Sequence, residues 1–296
     1  MAGASSSLRD EDLPRLTAEL GLPGIIDVHT HFMPPAILAK VWDYFDSAGP
    51  LLGRPWPVTY RGSDEERVAH LRSMGVRRFS ALSYAHKPGI AGFMNDWTKQ
   101  FAERTPDALW SATFYPEPDA ETYVRELVEG GVEVFKVHVQ VGDFAPNDPL
   151  LEPVWGLLAE SGTPIVLHAG SGPAPGDHTG PAGVADVLSR HPDLALVIAH
   201  LGMPEIHEFL DLAERHDNVR LDTTMAFVDF WGLPVPDDIP PRLLDLQQRL
   251  LFGTDFPNLP YVYAHQVEVL QRLDLGDDWM RSVLWHNGAD LFGVEA

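Results

Sequence analysis

Two histidines separated by a single residue, His29 and His31, close the segment Ile25-Ile26-Asp27-Val28-His29-Thr30-His31 near the start of the chain. Side chains alternate faces along a strand, so imidazoles at this spacing point the same way. Paired imidazoles make poor core residues and good halves of a metal site. Taken alone, the pair reads equally well as two surface histidines in a turn. The same kind of ending recurs, however. Apolar runs finish in Phe135-Lys136-Val137-His138, Val166-Leu167-His168, Ile198-Ala199-His200 and Phe252-Gly253-Thr254-Asp255. One polar residue closing an apolar run is commonly structural; five runs ending this way argue for one convergent site.

The chemistry follows from the residue types. The chain has no cysteine, so a metal must be held by imidazole and carboxylate, which suits zinc, with manganese or iron as alternatives. Such a cation keeps a position open for water, which loses a proton near neutral pH. A histidine one strand away is placed to move protons to or from the substrate.

These groups need a scaffold that brings strand ends together. Near-continuous apolar runs, as in parallel strands buried on both faces, occupy 24–28, 78–83, 110–114, 133–139, 164–167, 194–199, 219–222 and 249–252. Helical patterns at 64–74, 119–129, 150–161, 181–190, 203–216 and 241–248 alternate with them, with start signals at Ser63 and at Asp148-Pro149. Lys136, His168 and His200 are spaced by 32 residues, about one strand–helix unit each. The fold class is therefore α/β, a (β/α)8 TIM barrel with its functional groups at the C-terminal ends of the strands. The first strand-to-helix turn is not glycine-rich, which argues against a dinucleotide-binding sheet.

Residues 1–20 read as an N-terminal tail and short helix, and 21–296 as a single barrel domain. An insertion at about 32–63 carries Trp42, Tyr44, Phe45, Trp56 and Tyr60. It forms either a lid or simple packing against the barrel. With 296 residues, 45% of them hydrophobic, the core is ample, and a net charge of −22 argues against nucleic acid and anionic membranes as partners. No secretory signal pattern and no apolar stretch of about twenty residues is present, so the expectation is a cytoplasmic protein acting on a small molecule.

Asp27-x-His29-x-His31 after strand one, histidines ending strands five and six, and Gly253-Thr254-Asp255-x-Pro257 after strand eight resemble the amidohydrolase superfamily. Lys136-Val137-His138, Ala199-His200-Leu201-Gly202 and the terminal Asn287-Gly288-Ala289-Asp290-Leu291-Phe292-Gly293 resemble its amidohydrolase-related branch, which holds hydrolases and the aminocarboxymuconate-semialdehyde type of decarboxylase. The likeness runs from about Ile25 to Gly293. It implies metal ligation by His29, His31, His168 and Asp255, with His200 as acid/base and Asp255 also able to take a proton from the attacking water. Lys136 is open to two readings. In binuclear relatives the strand-four lysine is carboxylated and bridges two metals; in this branch Lys136 and His138 read instead as substrate-binding or supporting groups. Arg61 and Arg54 in the insertion could reach a substrate carboxylate, as an arginine does in some decarboxylase-like relatives. A homodimer is also the family expectation.

Other features carry less. Asp222-Thr223-Thr224 ends strand seven, where Asp222 lines the pocket as a substrate-binding group or caps a helix. Tyr84, His86 and Tyr115 follow strands two and three within reach of a substrate. The 170–176 loop lacks the third glycine of a phosphate loop and reads as a stiffened loop carrying His178. The function these readings favour is a metal-dependent hydrolase of a small organic substrate, working through metal-activated water. Nonoxidative decarboxylation of a small carboxylic acid uses the same ligands, and a noncatalytic metal-binding barrel is the rival from another class.

Overall fold

The computed structural model describes residues 8–295, so the first seven residues of the expected tail lie outside the described residues. Nine strand segments follow in order: β1 (Ile25–Asp27), β2 (Val76–Ser80), β3 (Ala108–Leu109), β4 (Ser111–Thr113), β5 (Val134–His138), β6 (Ile165–His168), β7 (Leu196–Ile198), β8 (Val219–Asp222) and β9 (Leu250–Leu251). They pair in parallel with their sequence neighbours, β1 through β3 in one set and β4 through β9 in the other. The expected third strand is thus broken at Trp110. The cause is side chains taking ladder positions: the Glu133 carboxylate accepts from the Trp110 N–H at 2.7 Å, and Ser111 Oγ accepts from the Ala81 N–H at 2.9 Å.

The last strand meets the first. Val28 N–H donates to Phe252 O at 2.9 Å, Asp255 N–H donates to His29 O at 2.8 Å, and Thr30 bridges Phe256 in parallel. With helices between successive strands, the arrangement is the TIM barrel that the apolar runs predict. Ile25 and Ile26 of β1 and Val28 just after it are enclosed, as are Val134, Phe135 and Val137 of β5. Each such aliphatic side chain contributes about 1.5–3 kcal/mol relative to exposure, which is why the strands carry few polar residues except at their ends.

The helix Asp64–Ser73 starts at a reciprocal cap: Ser63 Oγ accepts from Glu66 N–H at 3.2 Å while the Glu66 carboxylate accepts from Ser63 N–H at 2.8 Å. Pro181–Arg190 forms where the periodicity places it. A helix over Ala91–Arg104 was not among the expected elements. Its buried face includes Asn95 and Thr98, which interrupt the apolar rhythm. Asn95 is held there by β4, donating to Thr113 O at 2.9 Å and accepting from Thr113 N–H at 2.8 Å.

The insertion after β1 folds as two helices, Pro35–Ser47 and Gly49–Leu52. Its indoles hold the loop after β9: Trp42 Nε1–H donates to Asn258 Oδ1 at 3.1 Å, and Trp56 Nε1–H donates to Asn258 O at 2.7 Å. No helix among the described residues is long and apolar enough to cross a membrane.

Candidate active site

His29, His31 and Asp255 come together at the C-terminal mouth, each offering a ligand atom within 4.8 Å of the others. Asp255 Oδ1 lies 2.8 Å from His31 Nε2 and 3.5 Å from His29 Nε2. The far nitrogens set the tautomers, because carboxylate and carbonyl oxygens only accept. His29 Nδ1 contacts Asp222 Oδ2 at 2.8 Å and His31 Nδ1 contacts Leu82 O at 3.1 Å, so both Nδ1 atoms carry hydrogen. In the neutral rings both Nε2 atoms are then bare and face the Asp255 oxygen. Three lone pairs converge, and a cation placed among them would satisfy all three. This donor set, with each imidazole oriented from behind, fits a divalent metal ion.

Asp222 is enclosed, and both its oxygens are committed within the protein. Oδ2 takes the His29 N–H, while Oδ1 accepts from the backbone N–H of His200 at 2.8 Å and of Thr224 at 3.1 Å. It therefore positions two site histidines. Burial raises its carboxyl pKa, but the field of His29 and the hydrogen bond from it prevail, leaving Asp222 below the usual carboxylate range. Burial, then the Lys136 cation, lowers His29 to about 4 against the pull of Asp222 and Asp255.

Lys136 is fully buried, with Nζ 3.0 Å from His29 Nε2. Burial brings it down to about 8. Asp255 is held well below its ordinary value: burial raises it, but its contact with His31 and the fields of His31, His200 and His29 outweigh that. Its backbone is left-handed, with φ 79°, and His200 sits at φ 57°. Non-glycine residues rarely take this conformation, and when they do it is often at functional sites.

His200 donates from Nδ1 to Thr224 O at 3.2 Å, leaving Nε2 bare in the neutral ring, which burial favours by lowering its pKa to about 4. His168 is placed differently from the three convergent groups. Its Nε2–H is directed to Gly172 O at 2.9 Å, so its bare nitrogen is Nδ1. His138 and His168 are register partners on β5 and β6, and their rings stack at 3.9 Å and 12°. His138 Nδ1 accepts from the Val141 N–H at 3.3 Å, which places its own hydrogen on Nε2.

Six rings close a circuit around the mouth. Centroid separations run 5.2 Å from His29 to His31, 5.7 Å on to Tyr84, 5.2 Å to His138, 3.9 Å to His168, 4.6 Å to His200 and 4.9 Å back to His29.

The arginines of the insertion lie apart from this circuit. Arg61 is exposed, pairs with Asp46 and covers the Trp42 ring at 5.4 Å. Arg54 donates to Trp231 O at 3.1 Å. His178 is exposed, and the loop before it is tied down by Ser171 to Glu205 and by Gln140 to Ala174 O.

Asp27 had been noticed only as part of a motif. It is enclosed beneath the ligands: Oδ1 accepts from His29 N–H at 3.1 Å, and Oδ2 accepts from Thr254 Oγ1–H at 2.6 Å and Tyr263 O–H at 2.8 Å. Burial raises its pKa to about 7. The available signal was a carboxylate set inside an apolar strand, where only a bonded group is tolerated.

Solved structures share this architecture. An uncharacterized TIM-barrel protein from Bordetella bronchiseptica is 22% identical over 91% of this chain and 98% of that one, with a TM-score of 0.74. A dihydroxybenzoic acid decarboxylase from Polaromonas sp., crystallised with manganese and 2-nitroresorcinol, is 16% identical over 93% and 98%, with a TM-score of 0.66. The 5-carboxyvanillate decarboxylase of Sphingomonas paucimobilis is 15% identical over 92% and 100%, with a TM-score of 0.62. At these identities the likeness is one of fold. No curated protein matches the chain. The amidohydrolase family model, however, matches residues 26–294, from β1 through the terminal helix, and so takes in every group of the site. With strand-end histidines and Asp255 meeting at one mouth inside that span, the chain belongs to the amidohydrolase family.

Proposed function

We propose that this protein is a metal-dependent hydrolase of a small organic substrate. The observation that carries the reading is the convergence of His29 Nε2, His31 Nε2 and Asp255 Oδ1, with the two imidazoles directed by Asp222 and Leu82 O. His168 would complete the ligand set through Nδ1, the nitrogen that its bond to Gly172 leaves bare. A bound divalent ion supplies acidified water and polarisation of a substrate oxygen. Zinc suits these donors, and manganese is the metal of the Polaromonas enzyme. His200 accepts a proton at Nε2 and returns it to the leaving group, held in register by Thr224 O and by Asp222 behind its backbone N–H. That proton comes from the attacking water, received first by Asp255 and passed on to His200. Lys136, enclosed beside His29, counters the charge of Asp222 and Asp255.

Decarboxylation is the second reading, favoured by the fold likeness to two decarboxylases. There His200 would deliver its proton to carbon. Metal content is the first test: one ion per chain, lost in His31→Ala, supports the metal site. Carbon dioxide release against water-dependent cleavage over a substrate panel then decides the reaction. Carbon dioxide release without hydrolysis would overturn the leading reading.

A further inference from the structure

We propose that Tyr84 and His138 form a neutral two-donor clamp for a carboxylate carried by the substrate. The inference rests on the reading of the barrel mouth as a substrate site, and it holds whichever reaction occurs there. Within the ring circuit Tyr84 lies three rings from His200 in either direction, and His138 is its neighbour at 5.2 Å. The Tyr84 hydroxyl has no hydrogen-bond partner among the described residues, and its side chain is half-buried. His138 has its Nδ1 occupied as an acceptor for the Val141 N–H, so a neutral imidazole must present N–H at Nε2, and that atom has no partner among the described residues either. Stacking on His168 holds the ring in place. Two donors on neighbouring rings are thus left unmatched at the mouth.

A carboxylate matches two such donors, because it only accepts and offers two oxygens. The cations that might have taken this role are engaged elsewhere: Lys136 is enclosed in the field of Asp222 and Asp255, Arg61 pairs with Asp46, and Arg54 donates to Trp231 O. A charged acceptor held by neutral donors also spares the site a second buried cation beside Lys136. An ammonium or amidinium at the same place would be opposed by the His138 N–H, which only donates, and would keep at most the Tyr84 oxygen as an acceptor.

Benzoate is a suitable probe, since it carries the carboxylate on a flat ring. Its binding to the purified full chain is followed by calorimetry and by 15N chemical shifts of the histidine side chains, with benzamide and benzylamine as controls and metal content measured on each sample. Benzoate should bind better than benzamide, benzylamine should not bind, and the His138 Nε2 resonance should move. Tyr84→Phe should weaken benzoate about tenfold, the size expected for one hydrogen bond to a charged acceptor. His138→Asn keeps an acceptor for the Val141 N–H but removes the distal donor, and should weaken it similarly. His138→Gln restores a donor at the Nε2 position and should recover part of the loss. The clamp is overturned if benzoate fails to bind, if benzamide binds as tightly, or if both variants bind as wild type. Failure of the hydrolase reading shows elsewhere, as absent metal or absent hydrolysis with benzoate binding intact.

Discussion

His29 and Asp222 stand 193 positions apart in sequence and meet at 2.8 Å in the floor of the mouth, both out of solvent. The carboxylate fixes the imidazole with Nε2 toward the ligand cluster. Asp222→Asn should keep the barrel folded yet lower metal affinity by about 10–100-fold, the usual cost of losing an orienting partner. Competition with a graded chelator measures this; unchanged affinity would reduce Asp222 to packing.

Gly253 runs against the site from below. A β-carbon placed there would come within 2.8 Å of His29 Cβ and also strike Thr224 Oγ1. Gly253→Ala should displace His29, releasing metal and costing about 1–3 kcal/mol of stability through overpacking. Urea unfolding together with metal content reports both effects.

The indole of Trp42 connects the insertion to the loop that carries Asp255, because Asn258, which it holds, also donates its N–H to Asp255 O at 2.9 Å. Trp42→Phe removes the donor and keeps most of the ring. It should speed metal dissociation several-fold while changing stability by only about 1 kcal/mol. A stopped-flow chelation assay gives the rate, and an unaltered rate would assign the insertion to packing alone.

Asp10 ties the N-terminal segment down, accepting from Tyr60 O–H, from the Ala264 N–H at 2.9 Å and from His70 Nε2 at 3.2 Å. Burial raises its pKa, but the hydrogen bonds from His70, Tyr60 and the Ala264 backbone outweigh burial and leave it below its ordinary 3.8. A depressed carboxyl pKa stabilises the fold fully above the unfolded value, and that contribution is lost as pH falls through the folded value. Asp10→Ala should cost about 1–3 kcal/mol at neutral pH. The gap to wild type should narrow as the pH is taken below 3.8. Urea denaturation at several pH values tests the sign; a gap that widens in acid would contradict it.

The strand ends were legible because a strand buried on both faces tolerates few polar residues, so Lys136, His168 and Asp255 stood out against their runs. The helix Ala91–Arg104 was illegible for the converse reason, since Asn95 and Thr98 occupy its inner face and are satisfied by partners that periodicity does not reveal. Direction was the other blind spot. Nothing local tells that Arg61 turns outward to Asp46, or that Asp222 spends both oxygens on His29 and on backbone N–H groups. Those facts belong to contacts between distant segments, and spacing within one segment carries no trace of them.

Asp27 accepts from Thr254 and Tyr263, joining the first strand to the last at a separation of 227 residues, directly under His29. Ring closure and assembly of the metal ligands are therefore one folding event. A chain truncated before Thr254 lacks both, so the site cannot be carried by a fragment or formed early during synthesis. Contacts of such long range also form slowly. Activity should consequently emerge in step with the last stage of refolding and never ahead of it.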